Sequence, residues 1–271
     1  MAGGIDVLGA SREAVEVPLG FVGRVSLAVA RQVGELALLT WRAARATLAG
    51  RVAWRDVAVQ IQSVGIQSVL LVVVTGMLSG IVTSQQGGYQ LTGSIPLYIL
   101  GSVVTSSVIL ELGPVMTSIV MIGRVGARIT AEVGTMQVSE QIDALHALGR
   151  DPVAVLAAPR IIAGLVSMPL LVGIADLVGL VSGMIAARAG LGLGYQSFLY
   201  GARLYWHNWD LFYSLMKALV FGFIIPLIAV QMGLRTRGGA EGVGRSTTGS
   251  VVLMIITVLV LDAIFPPLFL N

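Results

Sequence analysis

Cysteine is absent from this chain, which excludes disulfides, thiolate metal sites and cysteine nucleophiles. Lysine occurs once, as Lys217 in Met216-Lys217-Ala218. A Walker A loop needs Gly-Lys followed by Ser or Thr, so that route to ATP is closed, and no cofactor is expected in this chain. Charge of either sign is scarce: 11% of residues are charged, against about 25% in a soluble domain. The net charge of +3 comes from arginines that track loop position and form no continuous basic stripe, so nucleic acid is excluded as a partner. A cleavable signal peptide is not expected, because Asp6, Glu13 and Glu16 interrupt the first twenty residues.

What remains is apolar. Hydrophobic residues make up 56% of the 271 positions, and the mean hydropathy is +0.89. The 34 glycines suit close helix packing in a bilayer. The reading is an all-α integral membrane protein. Five apolar runs, at 63–83, 95–122, 161–187, 211–234 and 250–270, are each near the ~20 residues that cross the hydrocarbon core. Residues 1–17 read as a polar, mobile tail. From 18 to 50 the charges fall at Arg24, Arg31, Glu35, Arg42 and Arg45, within an arc of about 80° at helical spacing. A helix so asymmetric is expected to lie in the interface plane. Residues 51–271 then form the five-span domain.

Seven basic residues precede the first span, four lie between the second and third, and three between the fourth and fifth. Only Arg188 and Arg203 fall in the other loops. The positive-inside rule therefore places the N-terminus in the cytoplasm and the C-terminus outside, with the aromatic residues of 188–210 as an outer interfacial belt. No inverted repeat is evident. Gly76 with Gly80, and Gly179 with Gly183, form small-xxx-small patterns that suit either internal packing or dimerisation.

Ionisable residues inside spans are costly and are functional candidates by default. They are Glu111, Asp176, Lys217 and Asp262. Ser107, Glu111, Pro114 and Ser118 share one helical face and would form the polar wall of a substrate cavity. Pro114 has no amide hydrogen, which frees the carbonyl of Leu110 beside the carboxylate. The alternative is that Glu111 only fixes packing against a neighbouring helix. Lys217 lies about 9 Å along its span, placed to meet an anionic headgroup or to snorkel outward. Asp176 and Asp262 are expected to make structural hydrogen bonds, and no pairing of Glu111 with Lys217 is assumed.

The one long polar interruption is 123–160, with four arginines and four acids in 38 residues. Its first half, Gly123 to Thr135, is expected to extend span two. Ser139 is expected to cap a short surface helix running to about Leu148, carrying Glu140, Gln141, Asp143 and His146. The spacing of Glu140, Asp143 and His146 is one that metal sites use, but the other histidine, His207, is assigned to the opposite side, so a solvated or protein-contacting face is expected and no metal.

Several of these stretches resemble a known family. GRVGARITAEVGTMQVSEQIDAL, Gly149-Arg150-Asp151-Pro152 and Pro159-Arg160, LELGP in span two and GGAEGVGRSTTGSVV from Gly238 are similar to the signature of the MlaE (YrbE) permeases of lipid-transporting ABC systems. The resemblance runs from about Val17 to the C-terminus. Two departures are Val230-Gln231-Met232, where a cysteine-containing stretch is common, and Ser139, where threonine is usual. The resemblance implies a homodimeric inner-membrane permease working with a cytoplasmic ABC ATPase, a STAS-domain subunit and an outer-side MCE-domain lipid carrier. It also implies an N-terminal elbow helix, a coupling helix contacting the ATPase through Glu140 and Asp143, and a lipid cavity near Glu111 and Lys217. The competing readings are an ion-coupled secondary transporter and a membrane scaffold for a soluble partner.

Overall fold

Hydropathy dictates the architecture: among the described residues, five helical stretches are long and apolar enough to cross a membrane, and there is no strand. The structure is a computed structural model that describes residues 7–91 and 95–269, with side chains from Ser26 onward save at 28 and 29. A long helix, α1 (Val7–Leu48), comes first. The expected tail is thus helical from Val7, and residues 1–6 lie outside the described residues. The first span, Trp54–Gln90, is α2 (Trp54–Val64), a 3-10 turn (Ile66–Ser68) and α3 (Val69–Gln90). The second, Ile99–Val138, joins α4 (Ile99–Ser107), α5 (Gly113–Met121) and α6 (Ala127–Val138) through two π-helical turns. α7 (Gln141–Ala147) follows. A third π turn, Val153–Ala157, opens the third span and leads into α8 (Ala158–Leu191). α9 (Tyr195–Leu204) occupies the expected aromatic loop, and α10 (Asn208–Leu234) and α11 (Gly239–Phe269) complete the set.

The first three spans, 37 to 40 residues long, are about twice what the hydrocarbon core needs. Their polar ends therefore project beyond the apolar runs, and the 123–135 stretch is a helical extension of span two as expected. Span five likewise begins at Gly239, eleven residues before the apolar run at 250, so Gly242 and Gly244 are helical and only Gly238 and Gly239 carry the positive φ of a turn.

α8 is the central post, buried along its length and packed on α2, α3, α5 and α10. Its seam with α3 resolves the small-xxx-small patterns: a side chain at Gly80 would overlap the Gly179 carbonyl, and one at Gly183 would reach the Gly80 carbonyl at 3.1 Å. The glycines face each other inside the chain, where backbones approach closely. α1 buries Leu39, Ala43 and Ala46 and packs on the third π turn. Its polar face docks on the end of α10: Gln32 donates to Gln231 at 2.9 Å and accepts from Arg235 at 2.7 Å, while Glu35 pairs with Arg235 and Arg31. Partial burial pushes the Glu35 carboxyl up, but the Arg235, Arg31 and Gln231 partners outweigh this and hold it below the ordinary carboxylate range.

Candidate functional site

The distinctive local feature of span two is the π turn Val108–Leu112, in which the Gly113 amide bonds the Val108 carbonyl five residues back. Pro114 explains its position, since it cannot donate to Leu110. The extra residue in the turn rotates everything after it relative to everything before. Ser107 and Glu111 consequently line a cleft against α3, whereas Pro114 and Ser118 turn into the bundle, where the Ser118 hydroxyl donates to the Pro114 carbonyl at 2.7 Å. The expected single polar face of Ser107, Glu111, Pro114 and Ser118 is thus split in two.

The cleft has a volume of about 640 Å³. It runs from Leu78 and Met116 to Gln90 and Val103, roughly 18 Å along α3 at helical rise. Leu78, Val82, Val103 and Met116 give apolar walls, and Ser79, Thr83, Gln86, Ser107 and Glu111 supply polar groups. Gly87 leaves room where a side chain would come within 2.9 Å of Leu100.

Behind Glu111 stands Lys217, fully buried on α10. Its ammonium donates to the freed Leu110 carbonyl at 3.1 Å and to Glu111 Oε2, and forms an ion pair with Asp262 Oδ1 on α11 at 2.6 Å. Two of its three donor hydrogens are thus used in hydrogen bonds, and the Asp262 carboxylate balances its charge as an ion-pair partner. Lys217 therefore ties spans two, four and five together and does not snorkel. Glu111 stays half exposed toward the cleft, while Asp262 is nearly closed off. The expectation that Asp262 is a plain structural hydrogen-bonder is corrected: it is an ion-pair partner of Lys217. One helical turn away, Ser214 donates to Asp176 Oδ2 at 2.9 Å, the structural bond expected for Asp176. The triad escaped the sequence because residue counting along straight helices sets Glu111 and Lys217 at different depths, and the π turn breaks that count.

The polar interruption builds the second surface. Ser139 does not cap α7. α6 runs on to Val138, so Ser139 ends that helix, with its hydroxyl bonded back to the Thr135 carbonyl at 2.8 Å. The chain then reverses at Glu140, whose φ of 60° is the left-handed conformation that disfavours a side chain. Gln141 donates to Ser139 at 3.0 Å. α7 buries Ile142 and leans Leu145 on the core, leaving Glu140, Gln141, Asp143 and His146 exposed together. Leu148 is exposed beside them, an apolar residue the sequence reading did not single out.

Three of the segment's four arginines are used internally. Arg124 bonds Ser68, Gln67 and the Ser63 carbonyl, and Arg128 bonds the Ser63 hydroxyl at 2.5 Å, filling acceptors where α2 breaks at Gly65. Arg160 is buried, donating to Leu156 at 2.8 Å and pairing with Glu132 at 3.1 Å. The motif's arginines hold the far end of span two to spans one and three, and α7 is left as its projecting part.

Comparison with known proteins gives a consistent result. The family model described as Permease MlaE matches residues 57–267. A probable ABC transporter permease protein of Synechocystis is 37% identical over 79% of this chain and 81% of its own. One of Rickettsia prowazekii is 34% identical over 92% of this chain and 96% of its own. The chloroplastic protein TRIGALACTOSYLDIACYLGLYCEROL 1 of Arabidopsis thaliana is 35% identical over 83% of this chain and 64% of its own.

Proposed function

Because the chain belongs to the MlaE permease family, we propose that this multi-pass transporter subunit moves a phospholipid or similar amphiphile, powered by a separate ATPase. The observation that carries the reading is the cleft walled by α3 and span two, with Glu111 on its face and the buried Lys217–Asp262 pair behind it. A long apolar groove with one charged group suits an acyl chain and a polar head, and its volume falls in the range of roughly 300 to 1,000 Å³ usual for ligand sites. The Arabidopsis relative is itself named for a glycerolipid.

Lacking a Walker loop, the chain takes its energy from its partner. The contact is the exposed face of Glu140, Gln141, Asp143 and His146, which a cytoplasmic ABC ATPase grips from below. Movement of α7 is then carried along α6 and α5, through the π turn between them, to the π turn at Glu111. We place the N-terminus and α7 in the bacterial cytoplasm and the C-terminus in the periplasm, with the chain working in the inner membrane as a homodimer alongside a STAS-domain subunit and an MCE-domain lipid carrier.

The test is purification with the ATPase encoded beside it, followed by mass spectrometry of extracted lipid. Wild type should retain both, and replacing Glu140 and Asp143 with Arg should release the ATPase. Intact co-purification of that variant would overturn the coupling assignment, and recovery of a lipid-free chain would overturn the cargo.

A further inference from the structure

Away from the cleft and from α7, three arginines meet in a concave site of about 320 Å³ formed by Arg42, Arg45, Arg51 and Asp151. The way they converge is set by the end of α1. Gly50 takes a φ of 66°, and the amides of Gly50 and Arg51 bond back to Thr47 and Ala46 at 3.1 and 3.0 Å. This is a Schellman ending, with the left-handed glycine after the cap and a six-to-one bond from the next residue. It folds Arg51 back over the last turn of the helix, beside Arg42 and Arg45, which are themselves neighbours at i and i+3.

None of the three guanidinium groups makes an ion pair or a side-chain hydrogen bond among the described residues. Asp151 is the only acid on the site, and its Oδ1 already accepts the Val153 amide at 2.9 Å. Three fixed positive charges thus face one carboxylate that is occupied with a helix start.

The surroundings say what kind of anion belongs there. Around α1, Trp41 and Leu48 lie one above the other on an exposed face, while Leu39, Ala43 and Ala46 form the buried stripe roughly opposite. Arg42 and Arg45 fall on the arc between the two. Trp54, also exposed, opens the first span just past Arg51. Exposed tryptophans on either side of clustered arginines mark headgroup level, where indole rings settle and acidic lipids concentrate. Guanidinium forks match phosphate oxygens in pairs.

We propose that Arg42, Arg45 and Arg51 form a binding site for the phosphate of an acidic phospholipid, seating the end of α1 on the membrane surface. The site is separate from the transport cleft and independent of the cargo carried there. The chemistry recognised is a phosphate-bearing anion, and the flanking Trp41, Leu48 and Trp54 select a lipid as its source.

Native mass spectrometry of the full-length chain in detergent tests this, with phosphatidylglycerol, phosphatidylcholine and soluble glycerol phosphate as probes. The chain should retain one phosphatidylglycerol in preference to phosphatidylcholine. Arg45→Gln alone should weaken retention about fivefold, and the triple Arg42→Gln, Arg45→Gln, Arg51→Gln variant about a hundredfold. Glu111→Gln should leave this lipid in place, which separates it from any lipid held in the cleft. A control that removes the same charge elsewhere, Arg150→Gln with Arg203→Gln and Arg237→Gln, should retain it as well. Equal losses in the control and the arginine triple, or none in either, would overturn the site. Glycerol phosphate bound as tightly as the lipid would overturn the lipid assignment.

Discussion

Lys217 and Leu110, 107 positions apart in sequence, share a hydrogen bond of 3.1 Å. The bond exists because Pro114 leaves that carbonyl without its helical partner, and the lysine that fills the gap also holds Glu111 and Asp262. A break in one span is thereby the point at which three spans are fastened.

Replacing Lys217 with Met should therefore cost more than a surface ion pair would. It leaves a nearly buried Asp262 carboxylate and the Leu110 carbonyl unsatisfied, a loss of about 3 to 5 kcal/mol. Thermal unfolding in detergent measures it. Adding Asp262→Asn should recover part of the loss, because the stranded charge is gone; a double variant no better than the single would show that the pair is not the source.

The glycine seam makes a paired prediction. Gly80→Ala drives a methyl into the Gly179 carbonyl, and should lower stability by about 1 to 3 kcal/mol. Gly173→Ala, on the same helix as Gly179 but with nothing within 4 Å, should be neutral or stabilising. Equal midpoints for the two variants would contradict the packing described.

Glu140 separates strain from contact. Glycine at 140 relieves the left-handed backbone, so Glu140→Gly should raise stability by about 0.5 to 1 kcal/mol. If the carboxylate meets the ATPase, the same variant should bind that partner less well. A variant both less stable and equally coupled would contradict each half.

The docking of α1 on α10 should depend on pH. Glu35 is held below its ordinary value of 4.5, so its contribution is fully present above that value and is lost as pH falls through the lower folded value. Spin labels at Leu38 and Leu234 should report a fixed distance at neutral pH and a broadened one below about pH 4. Glu35→Gln should remove the pH dependence, and an unchanged acid profile in that variant would contradict it.

Composition and hydropathy made the five spans, the helix before them and the polar interruption legible, because lipid-facing helices must be apolar over a known length. They also exposed Glu111 and Lys217 as costly residues and Leu110 as a freed acceptor. The pairing of the two was hidden by the π turn at 108–112, which no periodicity template includes. Ser139 misled for a related reason: a serine before an acidic residue reads as a helix start, and only the length of α6 shows it to be a helix end. The roles of Arg124, Arg128 and Arg160 were hidden because their partners lie on other spans.

The most direct test of the central claim is ATP-dependent release of labelled phospholipid from proteoliposomes holding the chain with its ATPase, comparing wild type with Glu111→Ala. The account predicts transfer by wild type only with ATP, and a variant that still binds the ATPase but transfers at least tenfold more slowly, about what losing one charge-assisted hydrogen bond costs. Transfer by the variant at the wild-type rate, or transfer by the chain alone under a pH gradient, would contradict it.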